Sequence, residues 1–234
     1  MQVTEPIAEG WAVYQRFWRH LLPIAFVISL VVSTISLALA SVGSVFAALA
    51  SVIVLIIGAF LIQAALTEAV ADVRDGRADL TLGETVARAW SSVGRVIAVS
   101  IVAGLLIAVG FVLLIVPGLY LITIWSVVIP VVVLEHTGVG ESLGRSRALV
   151  RGYAWTVFGV ILVTALIDIV ASIVLGIILS GLSTSVAHYV GDVLTTTLVT
   201  PFVAATWTSM FFLLRGLHEP AQTPQIPPGA AYTE

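Results

Sequence analysis

The chain has 234 residues, 59% of them hydrophobic and 10% charged, with a formal net charge of −3. Soluble domains carry roughly a quarter of charged residues, so this composition excludes a water-soluble globule and calls for lipid as solvent. The negative balance argues against a nucleic-acid partner, and the lack of cysteine excludes disulfides and thiolate metal sites.

Residues 1–20 carry Glu5, Glu9, Arg16 and Arg19 ahead of the first apolar run, without a small-residue cleavage site at signal-peptide distance, so no cleaved signal is expected. A membrane-crossing helix needs about 20 mostly apolar residues, because lipid offers no partner to open backbone groups. Six segments qualify, at roughly 21–40, 44–69, 96–116, 119–135, 154–180 and 190–217. Pro117-Gly118 is expected to form the tight turn between the third and fourth. Pro130 and Pro201 each remove a backbone donor and are expected to kink the fourth and sixth spans. Residues 218–234 hold Pro220, Pro224, Pro227 and Pro228 among polar residues, a composition expected to stay disordered.

All ten basic residues are arginines: Arg16, Arg19, Arg74, Arg77, Arg88, Arg95, Arg145, Arg147, Arg151 and Arg215. With six spans they all fall on one side of the membrane. The opposite loops, around Ser41 to Gly43, Pro117-Gly118 and Gly181 to Tyr189, contain none. The positive-inside rule then makes the arginine side cytoplasmic, with both termini there, in a multi-pass protein of the cell (inner) membrane.

Three arginine-bearing segments align on their glutamates: Glu9-Gly10-Trp11 through Arg19, Gly83-Glu84-Thr85 through Arg95, and Gly140-Glu141-Ser142 through Arg151. Each leads into an odd-numbered span. Thr81 with Glu84 reads as a capping box, and Pro6 suits a first helical turn. In the first copy Trp11, Tyr14 and Trp18 share a face while Arg16 and Arg19 point elsewhere, and in the second Val86, Trp90 and Val93 alternate with Arg88 and Arg95. Short amphipathic helices of this kind lie in the headgroup layer. The expected fold is therefore all-α and polytopic, about six transmembrane helices with three short interfacial amphipathic helices on the cytoplasmic side. Residues 1–217 form one membrane domain, built of repeats at roughly 4–69, 80–135 and 137–217. Arg16, Arg19, Arg88, Arg95, Arg145, Arg147 and Arg151 are the candidate contacts to lipid headgroups.

Asp168 falls near the middle of the fifth span, where a carboxylate costs about 2.5–3.5 kcal/mol on the insertion scale and needs a partner. Thr164, Asp168, Ser172, Gly176 and Ser180 recur every fourth residue, in a small, polar stripe. Asp192, Thr196, Thr200, Ala204 and Thr208 make a similar row on the sixth span. An antiparallel hairpin would put Asp168 level with Thr200 or Ala204. Two accounts stand side by side: interhelical hydrogen-bond glue, or a proton- or ion-coupling site to which Gln63 contributes.

Gly140-Glu141-Ser142-Leu143-Gly144 matches the G-x-S-x-G pattern of hydrolases, but no strand precedes it and Ser142 reads as part of a first helical turn. His20, His136, His188 and His218 lack metal-ligand spacing, so no metal, cofactor or catalytic residue is expected. Trp18, Trp90, Tyr153, Trp155 and Tyr189 read as an interfacial belt.

The text Leu113-Leu114-Ile115-Val116-Pro117-Gly118-Leu119-Tyr120, then Pro130, Glu135, Arg145-Ser146 and Leu149-Val150-Arg151-Gly152, resembles the membrane domain attached to some bacterial glycerophosphoryl diester phosphodiesterases. That domain also occurs alone in uncharacterised prokaryotic six-helix membrane proteins. The family usually shows an aromatic after the Arg-Ser pair, where this chain has Arg147. The resemblance implies a six-helix module of the cell membrane and brings no activity, because the phosphodiesterase chemistry belongs to a separate catalytic domain. The function expected is a non-enzymatic membrane module binding lipid or a partner protein. The alternative is a small-solute or ion transporter or channel using Asp168.

Overall fold

The computed structural model describes residues 1–76 and 79–219, so Arg77 and most of the proline-rich end, residues 220–234, lie outside the described residues. The described chain is helical, with α1 Thr4–Ala40, α2 Val45–Asp72, α3 Leu82–Leu113, α4 Ile115–Ile124, α5 Val128–Glu135, α6 Val139–Val150, α7 Ala154–Ile178, α8 Thr184–Leu198 and α9 Thr200–His218. Six helical stretches are long and apolar enough to cross a membrane, with α4 and α5 together making the fourth and Tyr189–His218 the sixth. This is an all-α, multi-pass membrane protein.

Local chemistry sets most helix ends. Ser44 caps α2 by accepting from the Ala47 amide at 3.1 Å. At the start of α3 the capping box is complete: Thr81 Oγ1 accepts from the Glu84 amide, and Glu84 Oε2 accepts from the Thr81 amide at 2.9 Å. The Asp72 carboxylate accepts the amides of Asp79 and Leu80, both at 3.0 Å, and so closes the connection from α2 to α3.

One expectation about turns is corrected. The chain reverses between the third and fourth spans at Leu114, the single extended residue between α3 and α4, rather than at Pro117-Gly118. Proline suits a first helical turn, and Gly118 lies where a Cβ would come within 2.5 Å of the Phe111 ring, so the pair serves the close approach of α3 and α4. Both span-breaking prolines act as expected: α4 and α5 separate at Trp125–Val127 with Pro130 in the first turn of α5, and α8 and α9 separate at Val199 with Pro201 opening α9. Ser146 on α6 donates to the Ile124 carbonyl left open by the first break, at 2.9 Å.

The three arginine-bearing segments do not form three separate short helices. The first runs on into α1 through a break at Phe17 (φ −116°, ψ 19°), and the second continues without interruption into α3. Only the third stands alone as α6, because Gly152 at φ 90° turns the chain before α7. Two residues of the end expected to be disordered are ordered: His218 belongs to α9, and Glu219 pairs with arginines of α6 and α9, while residues 220–234 lie outside the described residues.

Lipid tails are as apolar as leucine, so helices in a bilayer associate by close packing more than by water exclusion. The seams accordingly use small residues. A Cβ on Gly10 would sit 2.6 Å from the Thr206 Cα, which brings the first part of α1 against the backbone of α9. Gly58 of α2 receives Val32 of α1, and Ala64, Ala65 and Ala69 of α2 are buried with Ala204 and Ala205 of α9 in one core with Leu21, Ile24, Val96 and Val132. A second core joins Leu149 and Val150 of α6, Val157 and Val160 of α7, and Met210, Phe211 and Leu214 of α9. Beyond that core α7 is the least embedded span, meeting α8, α4 and α1. Most of its length is exposed apolar surface.

Candidate functional site

Two regions concentrate polar chemistry: a half-open cavity between α1, α2, α8 and α9, and the arginine-bearing end. The cavity, about 240 Å³, is lined by Ser29, Val32 and Ser33 of α1, Leu55, Ala59, Ile62 and Gln63 of α2, Asp192 and Thr196 of α8, and Thr200 of α9. Ser29 and Ser33 are four residues apart and therefore share a helix face, as do Asp192 and Thr196. Ser33 Oγ donates to Asp192 Oδ2 at 2.7 Å. The Ser29 and Thr197 hydroxyls lie 3.5 Å apart, and those of Thr34 and Tyr189 are 2.8 Å apart. One carboxylate, one amide and several hydroxyls suit a site for water or a small polar or cationic solute. Among the described residues no group of three His, Asp or Glu side chains could hold a metal ion.

The structure brings together only half of the polar site expected from sequence. Gln63, Thr196 and Thr200 line the cavity, but Asp168, Thr164 and Ser172 do not. Asp168 and Ser172 lie on exposed faces of α7 without side-chain hydrogen bonds among the described residues, and Thr164 is buried, its hydroxyl returning to the Val160 carbonyl at 2.9 Å. The reason is donor supply. Asp192 needs a hydrogen-bond donor, and α1 offers the Ser33 hydroxyl, so the Asp192 side of α8 turns toward α1. The carboxylate of the intramembrane site is thus Asp192, a residue the four-residue period had placed on the sixth span only as a partner row.

At the arginine-bearing end, hydrogen bonds stitch the segments together. Arg145 meets Glu135 through Nε to Oε2 at 3.0 Å and Nη2 to Oε1 at 3.1 Å, a bidentate pair, and its Nη2 also donates to Glu219. Arg215 donates to the other Glu219 oxygen at 3.2 Å. The pair with Glu135 raises the Arg145 pKa, and hydrogen bonds from Arg145 and then Arg215 hold the Glu219 carboxyl below the usual glutamate range. Arg74 pairs with Glu9 at 3.0 Å and lies 4.1 Å over the Phe212 ring. Arg95 donates to the His136 carbonyl at 3.1 Å, with the His136 ring nitrogen 3.2 Å from its other terminal nitrogen.

These contacts divide the seven candidate headgroup arginines. Arg145 and Arg95 are half-buried and their guanidinium groups bond within the protein, Arg145 joining α6 to Glu135 and Glu219 and Arg95 joining α3 to His136. Arg16, Arg19, Arg88, Arg147 and Arg151 are exposed and, among the described residues, none has a carboxylate within salt-bridge distance. Sequence spacing gave no means to separate the two sets, because the carboxylates that claim Arg145 come from α5 and from the residue after α9.

Ser142 is buried in the first turn of α6, its hydroxyl donating to the Gly138 carbonyl at 2.6 Å and lying 2.7 Å from that of Thr137. Its hydrogen-bond partners include no histidine and no carboxylate. Comparison of the chain with protein-family models, curated proteins and solved structures brought no match.

Proposed function

We propose that this chain is a non-enzymatic membrane module whose arginine-bearing face binds the anionic headgroups of the surrounding bilayer. The carrying observation is that Arg16, Arg19, Arg88, Arg147 and Arg151 are exposed with no carboxylate in salt-bridge reach among the described residues, while Arg74, Arg145 and Arg215 are paired. Guanidinium groups at a membrane boundary attract phosphate, at about 1 kcal/mol for each basic residue near an anionic surface. On this reading the arginine face is cytoplasmic, both termini lie on that side of the cell membrane, and the three glutamate-aligned segments are copies of one unit. Trp11, Trp18 and Trp90, each about half exposed or more, supply aromatic anchors beside the arginines. A protein partner would dock on the same face.

A second reading, passage of a small solute or ion, is favoured by the Asp192 cavity and no longer by Asp168. One experiment separates the two. The full chain in nanodiscs of mixed phosphatidylcholine and phosphatidylglycerol is expected to enrich phosphatidylglycerol around itself, and Arg16→Gln/Arg19→Gln/Arg88→Gln to reduce that enrichment severalfold, with Asp192→Asn having no effect. Unchanged enrichment in the triple variant, together with a solute flux in proteoliposomes abolished by Asp192→Asn, would replace the first reading by the second.

A further inference from the structure

The two arginines left out of that experiment, Arg147 and Arg151, sit differently from the others. They line a cavity of about 490 Å³ between α4, α6 and the start of α7, with Tyr120, Ile124, Gly144 and Gly152. Tyr120 and Ala154 are also walls of a second cavity, about 440 Å³, bounded otherwise by Val116, Leu119, Thr123, Trp155 and Phe158. The first carries two guanidinium groups and the second is almost wholly apolar, so together they make a crevice between α4 and α7 that is charged at one end and greasy along its length. Trp155 is 86% exposed at its edge.

We infer that this crevice is a discrete binding site for one anionic diacyl phospholipid, its phosphate held by Arg147 and Arg151 and an acyl chain laid between α4 and α7. The inference rests on the lipid-binding reading and narrows it to a place. Charge complementarity selects the occupant. Two guanidiniums four residues apart share a face of the chain leaving α6, and with no carboxylate within salt-bridge distance of either among the described residues, a phosphate supplies the counter-charge and accepts their paired N–H donors. A soluble anion would satisfy the arginines but leave the apolar half empty. A zwitterionic lipid would fill the apolar half while bringing a cationic amine to the arginines. α4 and α7 touch each other only sparsely, which leaves the crevice between them open along the bilayer, the direction from which a lipid enters.

The test is native mass spectrometry of the full-length chain in detergent, titrated with phosphatidylglycerol, phosphatidylcholine or glycerol 3-phosphate. One phosphatidylglycerol is expected to be retained at collision energies that strip the rest, about tenfold more than phosphatidylcholine, with no competition by glycerol 3-phosphate. Arg147→Gln/Arg151→Gln and, separately, Leu119→Trp, which fills the apolar half, should each abolish that retained molecule. Arg147→Lys/Arg151→Lys should keep part of it and so guards against loss of fold, with helicity by circular dichroism checked in every variant. Retention unchanged in both the arginine and the Leu119 variants overturns the site, as does displacement by glycerol 3-phosphate. If retention falls instead with Arg16→Gln/Arg19→Gln/Arg88→Gln, the broader reading stands and this crevice is not the place. Equal retention of both lipids by every variant overturns both.

Discussion

Gly10 shows how much one missing methyl group decides in this bundle. A Cβ there would lie within 2.7 Å of three Thr206 atoms, two of them backbone, so a side chain forces α1 away from α9 instead of merely turning a rotamer. Gly10→Ala is expected to destabilise the chain by about 1–3 kcal/mol, read as a lowered unfolding midpoint in detergent, whereas Gly94→Ala, which meets nothing within 4 Å, should be neutral or better. Glutamate alignment had marked Gly10 only as part of a repeat. Its packing role depends on which face of α9 passes by, and nothing in the local text carries that. The two aspartates teach the same lesson. Asp168 and Asp192 each belong to a stripe of small and polar residues at helical period, and the stripes are alike in composition. Only the neighbouring hydroxyls of α1 distinguish them, and those hydroxyls lie more than 150 residues away in the chain.

Helices are where the sequence is most legible, because caps, prolines and apolar runs act locally. The capping box at Thr81 and Glu84 is present as the spacing predicts, and Pro130 and Pro201 sit at real breaks. Thr81→Ala removes a side-chain acceptor from the first turn of α3 and is expected to cost about 1 kcal/mol there. Amide exchange at Glu84 and Thr85 should rise while the middle of α3 stays protected. What failed at this scale was the division of amphipathic start from membrane span. A helix continues until something stops it, and between Trp90 and Val96 nothing does, so α3 runs through both parts. The arginine segment before α7 has Gly152 in the left-handed region and becomes a separate helix. The reversal after α3 was misplaced by three residues because proline and glycine serve equally well in a turn and in the first turn of a tightly packed helix.

The ends of the fold are joined at the scale of the whole molecule by the Glu135, Arg145, Glu219 and Arg215 cluster, which ties α5, α6 and the exit of α9. A carboxyl whose folded-state pKa is lowered contributes stability that is complete above its unfolded value, about 4.3, and is lost as pH falls through the lowered one. The Glu219 shift has that sign, caused first by Arg145 and then by Arg215. Glu219→Gln should therefore lower the thermal midpoint at pH 7, and the gap from the parent should close as the pH is taken below about 4, followed by intrinsic tryptophan fluorescence. A gap that stays constant with pH would show that the ion pairs do not hold the end of α9.

By itself the sequence determined that this chain lives in lipid, that it spans six times, and roughly where each span lies. Those properties follow from apolar run length and from the high cost of open backbone groups in hydrocarbon, and both are summed over neighbouring residues. Tertiary structure alone decided which carboxylate lines the cavity between α1, α2, α8 and α9, which arginines are paired within the fold and which have no carboxylate in reach among the described residues, and that α4 and α7 part to form a crevice beside Arg147 and Arg151. In a bilayer the contrast between inside and outside is weak, because lipid is as apolar as the core. The rotation of each helix about its axis is therefore set by a few hydrogen bonds and small-residue contacts between segments far apart in the chain.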